Sequence, residues 1–123
     1  MAVEERTSAE KAIVNAVLDY FEGWFDGDVA RMERALHPGL AKRSLEQDGR
    51  TLNETTASWM IDATARALGR ERDPGDRRIE VEVEDVHGTI ANATVRSAVY
   101  REYVHLVLTP EGWKIVNALW EWT

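Results

Sequence analysis

Residues 79–84 read Ile-Glu-Val-Glu-Val-Glu. Such strict alternation of apolar and acidic side chains has the period of a strand with one face buried and one face wet. A chain that carries it must pair the strand and cover one side only. His87-Gly88 supplies a turn, and the residues after it supply the partner. A three-residue loop over His87 to Thr89 pairs Val83 with Ala93 and Val81 with Val95, and sets Glu80 opposite Arg96. A two-residue loop pairs Val83 with Asn92 and Val81 with Thr94. Only the first register keeps one face apolar, so it is the expected one. A third strand is predicted near Arg101 to Thr109. Pro110-Glu111-Gly112 then turns the chain into a last strand, Trp113 to Trp122.

The first half has a different period. Ala9, Ile13, Ala16, Val17, Tyr20, Phe21 and Trp24 recur at three- and four-residue steps, one broad helical face over Thr7 to Phe25. Thr7 and Glu10 have capping-box spacing, and Asp26-Gly27 ends the helix. Asp28 is the expected cap of a short second helix stopped by His37-Pro38-Gly39. Leu40 to Glu46 reads as a short strand and Gln47 to Arg50 as a turn. Asn53 is the expected cap of a third helix, with Ala57, Met60, Ile61, Thr64 and Leu68 inside and Gly69 as its C-terminal cap. Arg70 to Arg78 reads as a solvated loop. Helices followed by about four antiparallel strands make an α+β domain, here one domain over residues 1–123. A curved sheet of this kind leaves a concave face that the helices fill only in part.

Composition narrows the function classes. The net charge is −7 and the basic residues are scattered, which argues against nucleic acid as a partner. No cysteine is present, which removes disulfides, thiolate metal sites and cysteine nucleophiles. The absence of cysteine fits a cytoplasmic location, and no membrane attachment is expected, since no apolar run approaches a membrane span and the N-terminus has no apolar signal region. The three histidines have no metal-binding spacing. No phosphate-cradling glycine loop or nucleophile elbow occurs, and no metal or other cofactor is expected.

Two stretches carry a family resemblance. Gly27-Asp28, Met32 and Leu36-His37-Pro38 resemble the second helix of nuclear transport factor 2-like proteins. Residues 86–121, with HGTIANATV, YVHL and GWKIVNALWE, resemble more specifically the putative lumazine-binding family of that superfamily. The resemblance implies a cystatin-like α+β cone with a pocket, and a homodimer packed through the sheet. It spans nearly the whole chain. Functions in the superfamily range from ketosteroid isomerase, polyketide cyclases and dehydratases to non-catalytic binding modules, so the fold alone does not fix one. Carried over residue by residue, the isomerase-type phenol falls at Tyr20. The base falls at Ser44, beside Lys42 and Arg43, and the acid at Val104. Two of the three groups are thus missing, and a proton cannot be taken from carbon without a placed base. Neither Glu46 nor Asp62 fills the gap by simple register.

The expected pocket is therefore aromatic and apolar: Tyr20, Trp24, His37, Trp59, Val104, Leu106, Ala118 and Trp120. It suits a small apolar or aromatic molecule. His37 has a plainer role as a cap for free helix carbonyls. Tyr103 and His105 share one strand face, opposite Val104 and Leu106. They form either a polar pair in the pocket or part of the outer dimer face, and the isomerase comparison favours the outer face. Asn117 is open in the same way. Trp122 joins Trp120 at the rim. Lys42-Arg43 is read as a solvated pair, with an anion-binding role as the alternative. A non-catalytic binding module is the first functional expectation. The second is an enzyme of the polyketide-cyclase, dehydratase or isomerase type using Tyr20 with His37, His105 or Asp62.

Overall fold

The computed structural model describes residues 3–123. Three helices, α1 (Val3–Asp26), α2 (Val29–Ala35) and α3 (Ala57–Ala65), pack on the concave side of one six-stranded sheet. The strands are β1 (Leu36–Leu45), β2 (Leu52–Thr55), β3 (Ile79–His87), β4 (Ile90–Ser97), β5 (Tyr100–Thr109) and β6 (Gly112–Trp122). Their order is β2-β1-β6-β5-β4-β3. The sheet is mixed rather than wholly antiparallel, because β1 runs parallel to β6. It is the classical α+β arrangement of a strand layer with helices on one face.

The β3–β4 register is the apolar one: Val83 lies opposite Ala93, Val81 opposite Val95 and Glu80 opposite Arg96. The loop, however, has two residues, Gly88 and Thr89, with His87 paired to Ile90. The extra residue sits inside the strand, where the pairing shifts by one between Val83 and Asp85. A bulge at Glu84 thus reconciles the tight turn with the apolar face.

Helix α1 starts before Thr7, so the expected capping box is not its start. Glu10 instead accepts from Arg6 Nε at 2.9 Å, one turn back. Gly27, at φ +69°, ends the helix in the left-handed region. Asp28 does cap α2, accepting from the Arg31 amide. The cap of α3 is Thr56, which accepts from the Trp59 amide. Asn53 and Glu54 lie in β2, paired across to Ser44 and Arg43. Gly69 does not end α3, which closes at Arg66. Its bareness serves a close approach, since any Cβ at residue 69 would collide with the Trp24 backbone carbonyl and indole. The core is built from the α1 face (Ile13, Val17, Phe21), Met32, and the inward residues of β4, β5 and β6 (Val95, Val104, Leu106 and Ile115).

Candidate functional site

Helix α1 lies over β3 and β6 and α3 lies against β1, and a cavity of about 690 Å³ is left between these helices and β1, β2, β5 and β6. Alternation decides what enters it. On β5 the inward residues are Tyr100, Glu102, Val104 and Leu106. On β1 they are Leu40, Lys42 and Ser44. Helix α1 contributes Tyr20 and Trp24, and β6 contributes Trp120 and Trp122. Trp59, on α3, is half exposed at the mouth.

Three polar side chains meet at the inner end. The Tyr20 hydroxyl donates to Glu102 Oε1 at 2.6 Å, and Lys42 Nζ donates to the Tyr20 oxygen. Lys42 Nζ also lies 3.6 Å from Glu102 Oε1. The Glu102 side chain is only 2% exposed and that of Lys42 12%. Lys42 and Glu102 come from strands separated by β6. The β6 residue beside Lys42 is Ala118, whose methyl leaves the lysine room to cross. The ammonium lies 4.9 Å from the centre of the Tyr20 ring and 5.3 Å from that of Trp120, within cation–π range.

Burial pushes the Tyr20 phenol well above its ordinary value, and the neighbouring Glu102 carboxylate pushes it the same way. Burial pulls the Lys42 ammonium down, opposed only in part by Glu102. Both effects disfavour the charge a ligand-free pocket would otherwise hold. Further out, Trp24 Nε1 donates to the Tyr100 hydroxyl at 3.1 Å. Arg72 stacks over Trp122 at 5.0 Å. The buried Trp120 indole N–H has no acceptor among the described residues.

Of the residues expected in the pocket, Tyr20, Trp24, Trp59 and Trp120 line the cavity. Val104, Leu106 and Ala118 face the same way but are packed into the core below it. His37 stands apart from the cavity lining and does not cap α2, because the chain is already extended at Leu36. Its Nδ1 accepts from the Gly39 amide at 2.9 Å. Tyr103, His105 and Asn117 lie on the outer sheet face. There Asn117 Nδ2 is 3.2 Å from His105 Nδ1, and Tyr103 is 52% exposed. Asp62 is exposed and paired with Arg66. Lys42 is not a solvated residue. Glu102 and Tyr100 were missed, although the signal was present: if Val104 and Leu106 face inward, period two sends residues 102 and 100 inward as well.

This architecture, helices cupped in a strongly curved mixed sheet around a cavity, is that of the nuclear transport factor 2-like, or cystatin-like, fold. The model of the putative lumazine-binding family matches residues 8–121, and the chain belongs to that family. No curated protein matches the sequence. Among solved structures, the chain is similar to an NTF2-like protein of unknown function from Silicibacter pomeroyi. That match has a TM-score of 0.70 and 17% identity, over 100% of both chains. A second NTF2-like protein of unknown function, from Shewanella baltica, gives 0.71 and 15%, over 100% of this chain and 98% of that one. A protein described as a putative ketosteroid isomerase, from Shewanella frigidimarina, gives 0.53 and 13%, over 89% and 94%. At these identities the likeness is one of fold.

Proposed function

We infer that the protein binds a small molecule with an aromatic or apolar body and one polar end. The observation that carries this reading is the cavity itself. It has the volume of a ligand site, with tryptophan and tyrosine walls and a buried charged cluster at its inner end, while the other charged lining residues, Glu46, Glu54 and Arg72, are exposed. A flat ring system would lie against Trp24, Trp59 and Trp120. Its polar atoms would take the unused Trp120 N–H and the face of Lys42 that Tyr20 and Glu102 leave open. A bicyclic heteroaromatic of the kind named in the family's description has this chemistry. The test is a titration of bicyclic heteroaromatics, phenols and apolar carboxylates, read by tryptophan fluorescence and calorimetry. Saturable binding of at least one planar class, weakened by Trp120→Ala, is expected. A folded protein that binds none of them overturns the reading.

One observation favours a second reading, an enzyme of the isomerase or dehydratase type. Tyr20 has a carboxylate beside it after all, Glu102 in place of the three partners expected from sequence. A buried carboxylate and a phenol on one ligand are a proton acceptor and an oxygen-stabilising donor. Hydrogen exchange in heavy water at the carbon next to a bound ligand's carbonyl, lost in Glu102→Gln while binding persists, would separate catalysis from binding alone. Binding without exchange leaves the first reading in place.

A further inference from the structure

The chain has twelve arginines and only three lysines, Lys11, Lys42 and Lys114. Among the described residues every other ion pair, from Arg6–Glu10 to Arg96–Glu82, uses a guanidinium, and Lys42–Glu102 alone uses an amine. A guanidinium is permanently charged and supplies a fixed cation, whereas an amine can lose its proton and become a nucleophile. The one place where the chain uses the amine is the inner end of the cavity. There Lys42 lines the open space, a carboxylate lies 3.6 Å away and a phenol oxygen is in contact. Neither other lysine is so placed: Lys11 is exposed on α1, and Lys114 donates to the Arg34 carbonyl on the surface.

We propose that Lys42 captures the carbonyl group of an aromatic or apolar aldehyde or ketone as an imine. This rests on the cavity being a ligand site and names the class of ligand it holds. In the step, the Lys42 ammonium passes one proton to Glu102, and Nζ bonds to the carbonyl carbon. The oxygen takes a second proton from that nitrogen. It then takes back the first from Glu102 through the Tyr20 hydroxyl, and leaves as water. The nitrogen keeps one hydrogen, so the product is a protonated imine whose single positive charge still faces Glu102. No oxidant, reductant or further reactant is consumed. Burial of the amine in this pocket works in the same direction, since it disfavours the ammonium form.

The probe is naphthaldehyde with cyanoborohydride, which reduces an imine to a stable secondary amine, followed by peptide mapping of the full-length protein. A parallel titration with naphthalenemethanol, which fits the same walls but has no carbonyl, reads simple binding by tryptophan fluorescence. Labelling of Lys42 roughly tenfold or more ahead of Lys11 and Lys114, in a protein that also binds the alcohol, is the expected result. Lys42→Arg should abolish that label and keep the far-ultraviolet spectrum. The comparison among the three lysines is internal to the wild type and stands even if this variant fails to fold. Binding of the alcohol with Lys42 labelled no faster than the surface lysines overturns the imine and leaves the ligand site. Failure of both overturns both.

Discussion

Adjacent residues of α1 serve two opposite clusters. Asp19 points outward and Tyr20 inward. Outside, Asp19 receives Arg31 Nε at 2.9 Å and Arg34 through Nε and Nη2 at 2.8 and 2.9 Å, and Arg31 goes on to Glu22 at 2.7 Å. Donors and acceptors of matching fork geometry close on one another there, and the Arg34 side of the cluster is in water. Inside, one ammonium, one phenol and one carboxylate share a looser contact, almost wholly out of water and open to a cavity. The outer cluster has every feature of a brace between α1 and α2. The inner one spends desolvation on groups that a purely structural contact would not need. Replacing such a buried pair by apolar residues of similar volume is often neutral or stabilising.

That contrast gives the largest expected effect. Glu102→Ala leaves the Lys42 ammonium buried without its counter-charge and is expected to lower the unfolding free energy by about 3–5 kcal/mol. Urea unfolding of the variant measures it. Replacing both partners, Glu102→Met with Lys42→Met, should recover most of that loss while abolishing ligand binding. A double variant as unstable as the single one would mean that the pair holds the fold together, and the contrast between the clusters would collapse.

The same contrast marks what the sequence could and could not show. The β3–β4 pairing was legible because the apolar set of residues 79–84 makes sense in one register only. The bulge at Glu84 was not, since a tight turn with a bulge and a wider loop produce the same pairs from Ile79 to Val83. Asn53 looked like a helix cap because Asn and Thr both serve at that position, and only the pairing of Ser44 with Asn53 assigns the cap to Thr56. For the site, Tyr20 and the tryptophans were found from α1 and β6. The second half of the cluster was overlooked because charged side chains are expected at the surface: Lys42 was weighed by type rather than by strand parity, and Glu102 was not considered. Their partnership spans three strands and 60 positions, a distance that no local pattern reports.

A smaller effect tests the outer cluster. Burial pushes the Asp19 carboxyl up, but hydrogen bonds from Arg34 and Arg31 outweigh it and hold the group below its ordinary value of 3.8. A carboxyl whose folded value is depressed adds stability above its unfolded value, and that stability is lost as pH falls through the folded one. Asp19→Asn should therefore cost about 1.5–2 kcal/mol near neutral pH, the low end of the range for hydrogen bonds to charged groups because the Arg34 side is in water. As pH falls from 3.8 through the lower folded value the wild type and the variant should converge, because the folded carboxyl takes up its own proton only over that range. Urea unfolding of both proteins at neutral and acid pH measures the gap. A gap that persists unchanged in acid would show that shape, not charge, holds Asp19 in place. A gap at neutral pH as large as that of Glu102→Ala would show that the brace is as sensitive to a broken charge pair as the cavity, and would remove the distinction drawn between the two sides of α1.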